Sequence, residues 1–124
     1  MKGDDIAERL LDFSARIVKL ANALPKSTVG MHVCGQIVRS GTSAGANYEE
    51  ARGAESKSDF AHKLAISLKE LRETRYWLKV ISRTELIAPA RMRRITQEAD
   101  ELCRIVSKSI STVRQRKPNA EKRR

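Results

Sequence analysis

Apolar residues recur at helical spacing in four separate stretches, and no stretch alternates over the length of a strand. In the first, Ile6, Leu10, Phe13, Ile17, Leu20 and Leu24 follow at intervals of 4, 3, 4, 3 and 4, a single seam down one helix. Asp4 and Asp5 suit its N-terminal dipole, and Pro25 ends it. The second stretch predicts a helix from Thr28 to Ala54 with Val33, Ile37, Ala44, Tyr48 and Ala51 on its seam, Ser40 or Gly41 filling the gap. The third begins near Ser58, where Ser56 and Asp59 have capping-box spacing, and runs through Phe60, Leu64, Leu68, Leu71, Leu78 and Ile81 before fading at Ser82 to Thr84. Pro89 suits the first turn of a fourth, whose seam of Met92, Ile95, Ala99, Leu102, Val106, Ser109 and Val113 is spaced 3, 4, 3, 4, 3 and 4. Four such helices, each about 30 Å long and joined by short connections, predict an all-α, antiparallel up-and-down four-helix bundle.

The apolar pattern stops after Val113. Residues 1–115 are therefore expected to form the bundle, and 116–124 a flexible basic tail that Pro118 and Asn119 keep from being helical. The chain has 124 residues, enough for one domain and a self-sufficient core. Its formal net charge is +10, and half of that lies in Arg114 to Arg124, with six basic groups and one acid. Such a tail is either a solubilising end or an electrostatic arm for RNA or DNA. In the second case the expected contacts are Arg114, Arg116, Lys117, Lys122, Arg123 and Arg124, joined by Arg72, Arg75 and Lys79 of the third helix. No run of about 18 apolar residues spans a membrane and no signal-peptide pattern opens the chain, so a cytoplasmic protein without membrane contact is expected. Cys34 and Cys103 then read as buried free thiols rather than as a disulfide.

Ser40-Gly41-Thr42-Ser43-Ala44-Gly45-Ala46 places seven small residues inside a predicted helix. Two glycines there cost about 1 kcal/mol each relative to alanine, and close approach of another helix is the compensation such residues offer. That helix belongs either to the same chain or to a second copy. Arg39, Ser43, Asn47 and Glu50 form a polar stripe beside the groove, with charges at its ends for a partner helix. Of the pair Tyr76-Trp77, about 100° apart on one helix, one ring is expected in the core and the other on a groove or partner. Arg39, Gly41, Ser43, Gly45, Asn47, Glu50, Tyr76 and Trp77 are thus the candidate oligomer interface.

No residues assemble into catalytic machinery. Glu49 and Glu50 diverge, whereas Glu70 and Glu73 share a helix face with Lys69, Arg72 and Arg75, an arrangement suited to surface ion pairing. There is no Glu-x-x-His, neither His32 nor His62 has a nucleophile beside it, and no serine lies in a strand–turn–helix elbow. No enzyme activity, cofactor or metal is expected.

Gln36-Ile37-Val38-Arg39-Ser40, Ser43, Gly45-Ala46-Asn47-Tyr48, Glu50-Ala51 and Ala54-Glu55-Ser56 resemble the four-helix-bundle proteins of the 23S rRNA intervening-sequence family. So do Asp59-Phe60, His62-Lys63, Ile66, Leu68-Lys69-Glu70, Glu73-Thr74 and Tyr76-Trp77-Leu78; the resemblance covers residues from about 5 to about 115. It implies a left-handed up-and-down bundle that assembles into a homopentamer. It also implies a link to bacterial large-subunit rRNA genes, inside whose insertions the first members were found. A distant relative, the accessory protein of diversity-generating retroelements, is a basic pentamer that engages nucleic acid and a reverse transcriptase. Two positions depart from the pattern: Gly45 stands where many members carry proline, and Arg75 where related sequences often carry an acid. The family has no agreed catalytic residues to carry over. Two functions follow as expectations: a non-enzymatic oligomer that binds RNA or other nucleic acid, or an assembly adaptor for an unknown protein partner, such as a nucleic-acid enzyme.

Overall fold

Two serines set helix starts: the Ser27 and Ser56 hydroxyls accept the backbone N–H groups of Gly30 and Asp59, each at 3.0 Å. The computed structural model describes the backbone of residues 2–122 and the side chains of residues 3–115. Its four helices are α1 (Lys2–Asn22), α2 (Thr28–Arg52), α3 (Lys57–Thr84) and α4 (Pro89–Lys122). Glu85 closes α3 in the left-handed region at φ 57°. Its N–H bonds the Ser82 carbonyl at 3.2 Å and that of Leu86 bonds the Ile81 carbonyl at 3.1 Å, the paired pattern that satisfies terminal carbonyls.

Each helix packs on its chain neighbours and α4 returns to α1, the contact order of an up-and-down bundle. The core joins Leu10, Phe13 and Ile17 of α1 and Val33 and Ile37 of α2 with Leu64, Leu71, Leu78 and Ile81 of α3 and Met92, Leu102 and Val106 of α4. The α4 seam departs from its expected course at the end, where Ile110 is buried and Ser109 and Val113 are half-buried. A strict 3.5-residue repeat drifts around a helix of 3.6 residues per turn, so the buried stripe moves to the neighbouring row. The helical backbone of α4 continues to Lys122 and passes Pro118 and Asn119, where an interruption was expected. A proline near a helix end removes one rung of the ladder while holding φ in the helical range.

Helix α2 approaches both neighbours closely. A Cβ on Gly41 would lie 2.7 Å from Ile17 Cγ2 of α1, and Ile17 is fully buried. Beside it the Ser14 hydroxyl donates to the Gly41 carbonyl at 2.8 Å. On the opposite flank the Ser67 hydroxyl of α3 donates to the Ala44 carbonyl at 2.8 Å. One turn away, buried Thr74 Oγ1 lies 2.9 Å from buried Ser40 Oγ and 2.8 Å from the Glu70 carbonyl. The small residues thus let α1 and α3 bring hydroxyls onto the backbone and side chains of α2, and no buried side-chain polar atom among the described residues lacks a partner.

The two glycines of α2 at 35 and 41 give opposite expectations. Nothing lies within 4 Å of a Cβ built on exposed Gly35, so Gly35→Ala gains helix propensity, up to about 1 kcal/mol, and raises the melting temperature by about 3–5 °C. Gly41→Ala instead forces Ile17 aside and is expected to destabilise by about 1–3 kcal/mol. Thermal melts of both variants check this; a Gly41→Ala protein as stable as wild type would mean that the α1–α2 approach is looser than described.

Candidate nucleic-acid interface

Among the described residues, seven carboxylates pair with cations across the seams between helices. Arg9 of α1 donates to Glu98 of α4 through Nε at 3.1 Å and Nη2 at 2.6 Å, and to Glu101 at 2.9 Å, an arrangement that raises the basicity of the guanidinium. Arg39 of α2 bonds Glu70 at 3.2 Å and also bonds Glu73 of α3. Lys63 of α3 donates to Glu50 of α2 at 2.8 Å, and Arg52 joins Asp4 of α1 and Glu49 of its own helix. Arg75 reaches Asp100 across the α3–α4 seam at 3.3 Å.

Cations without ion pairs line the outer α3–α4 groove, and Arg16, Lys19 and Arg91 gather in a second groove between α1 and α4. The antiparallel register sets Arg83 near Arg93, Lys79 near Thr96 and Gln97, and Arg72 near Arg104, Ser107 and Lys108. The two stretches enclose cavities of ≈ 420 and ≈ 440 Å³. A third, of ≈ 330 Å³, continues the groove with Lys57, His62 and Arg114. No carboxylate lines any of the three. Arg72, Lys79, Arg83, Arg93, Arg104 and Lys108 are exposed and make no ion pair among the described residues. From Lys57 to Arg83 the groove follows α3 for about 39 Å at 1.5 Å per residue. Such a strip can neutralise successive phosphates of a polyanion.

The sequence-expected contacts Arg72, Arg75, Lys79 and Arg114 thus meet in one groove, with Arg75 turned toward Asp100. The side chains of Arg116, Lys117, Lys122, Arg123 and Arg124 lie outside the described residues. Missed from sequence were Arg83, Arg93, Arg104 and Lys108. Their helical spacing is visible, but only the α3–α4 register places them opposite the others. Cys103 lies at the groove floor as a buried free thiol, and burial pushes its pKa up against the pull of Arg75, Arg72 and Arg104. A buried thiol in such surroundings packs as a small apolar side chain.

Most residues of the candidate oligomer interface make contacts within the chain. Arg39 and Glu50 find their opposite charges on α3 of the same chain, and Glu70 and Glu73 pair with Arg39 rather than with cations of their own helix. Asn47 Nδ2 donates to the Ser43 carbonyl at 2.9 Å and hydroxyl at 3.0 Å, within α2. Gly41 and Gly45 both face α1. The indole N–H of half-buried Trp77 donates to Glu73 at 3.1 Å, and its ring meets His32 edge-on with centroids 5.9 Å apart. Tyr76 is 60% exposed, and the side chains of Glu50 and Arg39 remain 58% and 49% exposed despite their ion pairs. A polar stripe beside an apolar seam borders the adjacent helix, which is why Arg39 and Glu50 meet α3.

Among the described residues no group of three or more His, Cys, Asp or Glu side chains could hold a metal ion. No helix there is long and apolar enough to cross a membrane.

The family model described as 23S rRNA-intervening sequence protein matches residues 4–108, nearly the whole bundle. The chain belongs to that family. A crystal structure from Bacteroides thetaiotaomicron, of a protein of unknown function from the S23 ribosomal protein family, superposes with a TM-score of 0.83 at 39% identity. The match covers 90% of this chain and 99% of that one. No curated protein matches the chain. The intervening-sequence family and its four-helix architecture are those the sequence motifs pointed to.

The Arg39 bond holds the Glu73 carboxyl below its ordinary value of 4.5, against burial, with the Trp77 indole adding to the effect. A carboxyl lowered in the folded state contributes stability that is fully present above the unfolded value and is lost as pH falls through the folded one. Glu73→Gln is therefore expected to flatten the fall in melting temperature between about pH 5 and pH 3. An acid limb as steep as that of wild type would mean that this half-exposed ion pair contributes nothing measurable.

Proposed function

We propose that this member of the intervening-sequence family binds nucleic acid without catalysis, along the α3–α4 groove. The observation that carries the reading is a groove with no carboxylate in its lining that six exposed cations without ion pairs share, while Glu50, Glu70, Glu73, Glu98 and Glu101 are paired across other seams. An overall charge of +10 adds a long-range attraction for any polyanion. Contacts of this kind are to phosphates, so affinity depends steeply on salt and little on sequence. Replacing Arg72, Lys79 and Arg104 together by alanine is expected to reduce the log–log salt slope for a single-stranded RNA by up to about 2, at about 0.7 per phosphate contact. Fluorescence anisotropy from 50 to 300 mM salt measures it. A slope that stays at the wild-type value would move the interface off this groove.

Self-association is a second reading, favoured by a surface of opposite character. The α1–α2 groove, ≈ 400 Å³, is lined by Ala7, Leu11, Gly45 and Ala46 with Glu8 and Glu49 at its edges and no cation. Leu11 is 61% exposed. Two unlike patches on different helices are what a head-to-tail assembly requires, and an acidic apolar groove complements a basic face. The homopentamer implied by the family resemblance has a mass of about 70 kDa, five times the 14.0 kDa of one chain. Light scattering is expected to find that assembly for wild type and a smaller species for Leu11→Asp; a 14.0 kDa wild-type particle at micromolar concentration would rule it out.

A further inference from the structure

Tyr76 is the most exposed aromatic side chain of the described residues, and it is held rather than loose. Its ring meets that of Trp77 edge-on, with centroids 5.2 Å apart and planes at 74°. Trp77 is itself fixed by the bond to Glu73 and by the edge contact with His32 of α2. The three rings form a brace from α2 across the shoulder of α3, and Tyr76 is its outer end. That contact takes one edge of the tyrosine and leaves the ring 60% open to solvent.

Two of the four neighbours of Tyr76 on the α3 surface are the cations Arg72 and Lys79; the others are Glu73, which is paired with Arg39, and Val80. Arg72 stands one turn before it, Lys79 three residues after and Arg83 seven residues after, all lining the groove beside it. Side chains three and four residues apart on a helix lie about 5–6 Å from one another at Cβ. Tyr76 thus marks the crest of the groove wall, with positive charge within one turn on both sides. An apolar protein partner would have to desolvate those guanidinium and ammonium groups. A polynucleotide brings the phosphates that satisfy them and a flat base for the ring.

We infer that Tyr76, braced by Trp77, is a stacking platform for one unpaired nucleobase of an RNA strand whose phosphates lie on Arg72 and Lys79. This rests on the groove binding nucleic acid and adds to it a preference for a strand with an accessible base. A base in a continuous duplex is stacked on both sides and has no face to offer, whereas a splayed base in a single strand or loop stacks readily on an aromatic ring.

Two labelled probes test the inference: a 12-nucleotide oligoadenylate and a 12-base-pair RNA duplex, bound to the full-length protein. Tyr76→Ala is expected to weaken oligoadenylate binding by about 5- to 100-fold, the range found when one base-stacking aromatic is lost. It should change duplex binding less than twofold, and Tyr76→Phe should bind both probes as wild type does. Trp77 is the single tryptophan, so its fluorescence reports a base arriving next to its neighbour. Oligoadenylate is expected to quench it in wild type and Tyr76→Phe but not in Tyr76→Ala. The exposure of Tyr76 leaves the fold of these variants intact, which circular dichroism verifies. Equal losses on both probes, or no loss on either while the Arg72, Lys79 and Arg104 variant loses both, would remove the stacking site and leave the groove standing. A wild-type protein that binds neither probe overturns the groove and the platform together. A fall in assembly mass caused by Tyr76→Ala would assign the ring to contact between copies and overturn the proposal.

Discussion

The close approach of α2 to both α1 and α3 is the constraint on which the bundle's geometry depends. Side chains larger than those at Ser40, Gly41, Ala44 and Gly45 would hold the helices at ordinary spacing and keep the hydroxyls of Ser14, Ser67 and Thr74 from their partners on α2. Apolar packing alone tolerates small slips along a helix. A hydroxyl bonded to one particular carbonyl or side-chain oxygen does not, because a slip would leave a buried polar group unpaired at a cost of about 1–3 kcal/mol. The Ser67–Ala44 contact therefore fixes the α2–α3 register, and the Thr74–Ser40 contact lies in the same register. That register brings Arg39 to Glu70 and Glu73, and Lys63 to Glu50.

The same register separates the charges. Acids that might have neutralised cations on their own helix, such as Glu70 and Glu73 beside Arg72, are turned toward α2. The cations of the α3–α4 flank are left facing one another across a groove. Exposed ion pairs contribute little to stability individually, a median of about 0–1 kcal/mol, so their larger effect here is on where positive potential accumulates. Repulsion along that line opposes compactness and a bound polyanion relieves it. The arrangement is more readily understood as a binding surface than as a stabilising one.

The groove lining includes cations, small residues, His62 and the edge of one cysteine. Burial pushes the pKa of its thiol, Cys103, up, and the bundle's buried hydroxyls are occupied by hydrogen bonds between helices. Cations, hydroxyls of small residues and one tyrosine on the rim are a vocabulary for contacting phosphates and bases.

The four helices were legible in the sequence, and so was most of the core, because periodicity near 3.6 residues is a local property that burial reads directly. Pro25 and Pro89, with the Ser56–Asp59 spacing, marked three boundaries for the same reason: capping and ring closure act within a turn. The strip of small residues announced a close helix crossing but not its partner. That the crossing is made with α1 around Ile17 follows only from the packing. The stripe from Arg39 to Glu50 showed charges looking for partners, and tertiary structure placed those partners on α3 of the same chain. Arg72, Arg75, Lys79 and Arg114 could be named as cations from sequence. Their union with Arg83, Arg93, Arg104 and Lys108 in one groove could not, because it requires the register between helices whose groove-lining residues lie up to 57 positions apart in the chain, as Lys57 and Arg114 do. Sequence by itself determined which residues are buried and which are charged; the packing of α2, α3 and α4 decided which charges are cancelled and which remain, since cancellation depends on distance across a seam.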